Sequence, residues 1–142
     1  MKSVLLPVVA LAMIDSVGRV LMQQRPQAKE HGGLWEFPGG KPESGEGPRT
    51  ALVREIAEEL GVVVDPSQMF EITFASQESG PDQRAIVLLL YGCRNWEGEP
   101  QCLEPGARIA WVDRAAMLAL PMPPLDVPLA RALAPILDSV MK

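Results

Sequence analysis

Three glutamates, Glu55, Glu58 and Glu59, stand three and four positions apart in the run Thr50–Leu60. On a helix those spacings share one face. Leu52, Ile56 and Leu60 mark the opposite face, so the carboxylates project together. Like charges so placed destabilise a bare helix by about 0.2–0.5 kcal/mol per pair. Solvent exposure can offset that repulsion, and so can a bound hard cation. Mg²⁺ takes oxygen ligands and keeps waters and substrate phosphates in its shell. Glu46 lies just before the helix, close enough for loop geometry to bring it to the cluster. Arg54, four residues before Glu58, is placed to pin a carboxylate. Gly39 and Gly40 allow the backbone to come near the same site and offer a carbonyl to a cation. Taken alone, an acidic cluster of this kind also reads as a solvated helix face, with the glycines serving as turns.

The neighbouring sequence supplies the elements that would position these groups. Gly47 caps the helix, Pro48 takes its first position, where a missing N–H costs nothing, and Gly61 stops it. Before the helix, Val4–Ile14 reads as a buried strand, Asp15–Gly18 as a turn and Arg19–Gln24 as a second strand, as in a hairpin. Pro26–Gly33 is a polar loop, Leu34–Phe37 a short extended piece and Pro38–Gly47 a loop. After the helix, Val62–Val64, Phe70–Ala75 and Ala85–Cys93 are strand-like, Asn95–Gly106 is a loop and Arg108–Val112 a strand. Asp113 caps a short helix over Asp113–Leu120. Pro121–Pro128 is irregular. Leu129, Leu133, Ile136, Leu137 and Val140 mark a last helical face, which Pro135 is expected to kink or restart. The alternation predicts the α/β class: one domain over residues 1–142, an α/β/α sandwich with a mixed β-sheet.

Composition narrows the functional classes. A chain of 142 residues buries about 68–70% of the surface its unfolded form exposes, enough to dispense with disulfides. Thirteen basic residues against 18 acidic ones leave a net charge of −5, which argues against broad binding to nucleic acid but not against small anionic ligands. Cys93 and Cys102 form no CxxC pair and His31 is the single histidine, so a zinc site is not expected and a reduced, cytoplasmic protein is. The apolar run Val4–Ile14, preceded by Lys2, reads as a first strand rather than a secretion signal, because Pro7 interrupts it and no small-residue cleavage pattern follows. No apolar run approaches the roughly 18 residues of a membrane span.

Gly40, Glu46, Arg54–Glu55–Ile56, Glu58–Glu59 and Gly61–Val62 together reproduce the spacing of the Nudix box over residues 40–62. On that motif the chain is identified as a member of the Nudix hydrolase superfamily. Leu34–Lys41 and the segment Trp96–Glu104 resemble the MutT type, and the likeness extends along nearly the whole chain. The resemblance implies the Nudix fold, with a loop–helix–loop catalytic motif. It implies a Mg²⁺-dependent hydrolysis, with Mn²⁺ as the alternative cation, of a nucleoside triphosphate to monophosphate and pyrophosphate. The expected partner is a small-molecule nucleotide, not nucleic acid or membrane, and the expected state is monomer or homodimer.

By the same resemblance Glu58 and Glu59 are the principal metal ligands, helped by Glu55 and the carbonyl of Gly39. Arg54 orients the glutamates. Glu104 is a candidate general base or further ligand, with Glu55 its rival as base. Arg25 and Arg84 match arginines that face the nucleotide, since their planar forks suit phosphate and carbonyl oxygens. Gly40 and Lys41 stand by the phosphates, and Phe37 and Trp35 are candidates to stack on a base. Asp126 occupies the place where MutT has a guanine-reading asparagine. An ionised Asp accepts hydrogen bonds only, whereas a protonated one also donates. Oxidised dGTP is therefore the first expected substrate, and CTP, dCTP or a modified pyrimidine nucleotide the second; a helix-capping role for Asp126 is the alternative. The proline of the ADP-ribose subgroup, the tyrosine of the dinucleoside polyphosphate subgroup and the arginine pattern of the coenzyme A subgroup are missing. A non-catalytic Nudix module usually loses box glutamates, and here all are present.

Overall fold

A computed structural model describes residues 4–139. The chain runs β1 (Leu6–Met13), β2 (Val20–Gln24), β3 (Trp35–Glu36), β4 (Gly39–Gly40), α1 (Pro48–Leu60), a 3₁₀ turn (Pro66–Gln68), β5 (Phe70–Gln77), β6 (Ile86–Cys93), β7 (Arg108–Val112), α2 (Arg114–Ala119) and α3 (Asp126–Ser139). Val140, read from the sequence as part of the last helical face, and Lys2 lie outside the described residues.

β1 is the centre of the domain. It is apolar along most of its length because both of its faces are buried. Val9, Leu11 and Met13 face one core with Leu52, Ile56 and Leu60 of α1. Ala10, Ala12 and Ile14 face the other, with Leu129 and Leu133 of α3. Helices thus cover both sides of the sheet, as the α/β/α expectation requires. The sheet has the order β4-β1-β6-β5 and is mixed, since β1 pairs parallel with β6 and antiparallel with β4. Leu52 is fully buried, so Leu52→Ala is expected to cost about 2–5 kcal/mol, read as a lower urea midpoint at unchanged slope.

Four expectations need correction. β1 and β2 do not form an extended hairpin: beyond the bridge Ile14–Val20, β2 joins a separate antiparallel sheet of order β3-β2-β7. β1 has both its edges taken by β4 and β6, so β2 must find other partners. Val62–Val64 is no strand and keeps only the bridge Val63–Glu97. Within the loop 38–47, Gly39 and Gly40 pair with Ala10 and Val9 as β4. Finally, α3 begins at Asp126, inside the proline-rich stretch, and runs unbroken through Pro135. Pro135 is exposed, where the carbonyl it leaves without an N–H partner can face water.

The helix that carries the glutamates obeys the local code. Gly47 is its N-cap, Pro48 opens it, and Gly61 closes it in the left-handed region at φ 70°, which only glycine enters without steric cost. The last carbonyls of a helix lack intrahelical partners. Here Glu59 and Leu60 give theirs to the N–H groups of Leu103 and Gln101. This pair of bonds brings the loop 94–107 against the end of α1, and Glu104 with it.

Candidate active site

A cavity of about 340 Å³ is lined by residues of both sheets, of α1 and of two loops. β2 lines it with Gln23 and the loop following with Arg25, Pro26 and Lys29. β3 contributes Glu36, β4 Gly39, α1 Glu58 and Glu59, and the 94–107 loop Leu103 and Glu104. Four carboxylates thus share one wall system with two cations.

Each charge has a defined neighbour. Arg25 donates from one guanidinium nitrogen to both oxygens of Glu36, at 3.1 Å each, and from Nε to the Glu30 carbonyl. Lys29 Nζ lies 2.6 Å from Glu104, which also accepts from Gln23 Nε2 at 3.3 Å. Arg54 donates to both oxygens of Glu46 at 2.8 and 2.9 Å, to Glu58 at 3.2 Å and to the Lys41 carbonyl at 3.1 Å. It also stands 3.7 Å from Glu55. Its fork is therefore occupied in tying the loop before α1 to the helix face. The Arg54 bonds hold the Glu46 carboxyl down at about 2.

Glu59 is the electrostatic focus. Burial, with Glu55, Glu36 and Glu104 nearby, pushes its carboxyl up to about 8 against the opposing influence of the Gly39 N–H. Burial likewise raises Glu55, with Arg54 opposing and Glu58 adding to the rise. Glu36 is raised by burial although Arg25 pairs with it. A desolvated carboxylate among others is a group that a cation would relieve.

The donor set fits a hard divalent cation. It is all oxygen, with no thiolate or imidazole, which suits Mg²⁺ or Mn²⁺. Among the described residues no three carboxylates are gathered into a ready cage. They line an open cavity instead, which matches a cation that retains waters and shares substrate oxygens. Gly39 and Gly40 let this wall close up: a Cβ on Gly39 would strike the Val9 carbonyl, and one on Gly40 would strike the Glu55 carboxylate.

Several other residues singled out in the sequence stand outside the cavity. Glu55 packs over Gly40 behind the wall. Lys41 is exposed and offers its carbonyl to Arg54. Arg84 is exposed, ahead of β6 rather than in it, and its carbonyl accepts from Gln77 Nε2. Phe37 is 3% exposed and packs in the core beneath α3, so its ring is not available to stack on a base. Trp35 packs partly against the same core.

Asp126 begins α3 yet does not cap it. It is 5% exposed, and its carboxyl accepts from the Phe37 N–H at 3.4 Å. Burial, then the nearby Glu36, push it up to about 7, with the Phe37 N–H and Arg25 opposing. The Trp35 N–H bonds the Pro121 carbonyl, which holds the proline-rich segment against β3, and the Asp126 N–H bonds the Pro123 carbonyl in a turn within that segment. Asp126 therefore stands behind Glu36 and Arg25, next to the cavity.

Gln23, Lys29 and Glu36 are site residues that the sequence did not single out. Gln23 had one visible signal, a polar residue following Val20, Leu21 and Met22 in a buried strand. Glu36 was visible only as part of the segment Leu34–Lys41. Lys29 had none, because it reaches Glu104 across 75 positions of chain.

The family described as "NUDIX domain" matches the chain over residues 4–133. Over 124 residues the chain is 37% identical to CTP pyrophosphohydrolase of Escherichia coli (strain K12), covering 87% of this chain and 88% of that protein. It is 32% identical over 133 residues to 8-oxo-dGTP diphosphatase of Haemophilus influenzae, covering 94% of each. The solution structure of the E. coli ORF135 protein superposes with a TM-score of 0.80 at 32% identity, over 94% of this chain and 91% of that one.

Proposed function

The chain belongs to the NUDIX domain family and is a Nudix hydrolase, and from that premise we propose that it is a Mg²⁺-dependent nucleoside triphosphate pyrophosphohydrolase that releases a nucleoside monophosphate and pyrophosphate. The observation that carries this reading is one cavity in which Glu59 is pushed up to about 8 beside Glu36, Glu58 and Glu104, with Arg25 and Lys29 in its lining.

Glu58, Glu59 and the Gly39 carbonyl would hold the cation, with Glu55 behind them and Glu104 in the same cavity. When bound, the cation neutralises phosphate charge and lowers the pKa of water in its shell. The chain's own groups do the rest. Arg25 and Lys29 are the cations that meet the triphosphate; Arg25 is held beforehand by Glu36, whereas Lys29 reaches Glu104 on an exposed, flexible stem. Arg54 holds Glu46 and Glu58 in register. Glu104, or Glu55 as its rival, is the candidate to take the proton of the attacking water. Attack at phosphorus demands positioning and charge neutralisation more than covalent chemistry. Gly40→Ala tests the positioning: the added methyl must expel the Glu55 carboxylate. A loss of about 10–10²-fold in turnover is expected, with the far-ultraviolet circular dichroism spectrum retained.

Asp126 is the group we assign to the base. A carboxyl poised near neutrality donates when protonated and accepts when ionised. That suits the N–H and O6 edge of an oxidised guanine, so 8-oxo-dGTP is the first substrate and cleaning of the nucleotide pool the first role. The second reading is CTP, dCTP or a modified pyrimidine nucleotide. It is favoured by the 37% identity to a CTP pyrophosphohydrolase and by the fit of a carboxyl to the amino group and N3 of cytosine. A pyrophosphate-release panel with Mg²⁺, spanning the natural nucleotides, 8-oxo-dGTP and 5-methyl-dCTP, separates them by kcat/KM. An 8-oxo-dGTP lead of about tenfold supports the first reading, and a cytidine lead the second. Binding without pyrophosphate release from any of them overturns both.

A further inference from the structure

Gln23 sits in the cavity at a cost that packing does not explain. It is 4% exposed, and its Oε1 is a buried atom with no hydrogen-bond partner among the described residues. A buried acceptor without a partner forfeits the hydrogen bonds it made with water. An apolar side chain of the same length, following Val20, Leu21 and Met22, would remove that penalty. What such a side chain would lack is the Nε2–H group, which donates to Glu104 Oε1 at 3.3 Å. The direction of the amide follows from the same contact. Reversed, it would set its carbonyl against a carboxylate and leave the N–H group buried without an acceptor.

Among the described residues the Glu104 carboxylate has one other holder, Lys29 at 2.6 Å. Lys29 is 58% exposed on a long flexible stem, and an ion pair so placed fixes little. Gln23, anchored in β2, is the rigid support. We propose that Gln23 is a positioning residue that sets the Glu104 carboxylate in the cavity, and that its amide is kept for this purpose at the expense of stability. The inference deepens the functional reading above, in which Glu104 serves the cation and its water, and rests on it.

Partners that orient a metal ligand typically change metal affinity about 10–100-fold when removed. The test is Mn²⁺ binding to the metal-free protein, followed by the electron paramagnetic resonance of free Mn²⁺. Wild type, Gln23→Met, Glu104→Gln and the double variant are compared, with melting temperatures in EDTA. Gln23→Met is expected to bind Mn²⁺ about tenfold more weakly while melting at or above the wild-type temperature. In the Glu104→Gln background the same change is expected to have no further effect on affinity, because a residue that acts through another loses its influence when that other is gone. An affinity within about twofold of wild type, or an equal loss in both backgrounds, overturns the proposal. If wild type binds no Mn²⁺, or Glu104→Gln binds it as wild type does, the functional reading of Glu104 fails, and this inference with it. With those two controls in place, failure falls on Gln23 alone. Should Gln23→Met not fold, Gln23→Asn withdraws the amide by one methylene and is judged by the affinity criteria alone.

Discussion

Glu59→Gln is expected to lower kcat by about 10³-fold, equivalent to about 4 kcal/mol of transition-state stabilisation. The same change is expected to raise the melting temperature of the metal-free protein above pH 8. Both effects follow from one fact, that Glu59 is buried among Glu55, Glu36 and Glu104. With its carboxyl at about 8 in the fold, the folded chain keeps a proton that the unfolded chain loses near its ordinary value. The contribution to stability is full at low pH and is lost as pH rises through about 8. Glutamine carries no charge and removes that slope. Glu58→Gln provides the contrast. Glu58 is 59% exposed and bonds Arg54, so its replacement is expected to lower turnover without stabilising the metal-free fold. Steady-state kinetics over a Mg²⁺ series and differential scanning calorimetry in EDTA check the pair. A fall in kcat smaller than about tenfold for Glu59→Gln would remove it from the catalytic set.

Asp126→Asn carries the second large effect, on recognition. The site is built around a carboxyl that is 5% exposed and touches the Phe37 N–H. A polar site that loses its matching group discriminates poorly. A loss of about 10²-fold in kcat/KM for the preferred nucleotide is expected, with the ranking among bases compressed. The pH dependence supplies an independent readout. Asp126 is raised to about 7 in the fold. Its contribution to stability is therefore present below the ordinary aspartate value and declines as pH rises towards 7. Its size is on the order of a few kcal/mol. In the difference between wild type and Asp126→Asn, unfolding free energy is expected to slope between about pH 4 and 7 and to be flat above. A difference that does not change over that interval would show that Asp126 is ionised in the fold throughout, and would leave it able only to accept from a base.

The parts of the molecule legible in the sequence are those set by near neighbours. α1 is such a case: its apolar period, its Gly47–Pro48 opening and its Gly61 stop all act within a few residues, and its bounds match the expectation. β7 and the Asp113 cap are of the same kind. Pairing is different. Nothing local separates β1 from β2 into two sheets, because the partner that claims β1 is β6, far along the chain. Two-residue β4 is likewise invisible, since glycines score as a turn until Val9 and Ala10 are known to lie opposite. The site divides along the same line. Glu58 and Glu59 are fixed by helical spacing and Arg54 by its place beside them. Glu104 enters only because helix-end carbonyls capture Leu103 and Gln101. Phe37 carries an aromatic suited to stacking, yet its position two residues before Gly39 turns the ring into the core. Glu36, its neighbour, faces the cavity by the alternation of an extended chain.

The register of the central strand also governs how the protein can be made. Leu6 lies opposite Ile86 and Met13 opposite Cys93, so each β1 residue waits for a partner eighty positions downstream. At about 5–20 residues per second, a ribosome takes roughly 4–16 s to supply it. Throughout that interval one of the most apolar segments of the chain is a nascent strand whose β6 edge is unpaired along its whole length, with only Val9 and Ala10 offered an earlier partner by β4, a form prone to wrong association. Chaperone demand during synthesis is therefore concentrated on β1. Synonymous codon changes that slow translation between β1 and β6 lengthen its exposure without altering a single contact of the finished fold.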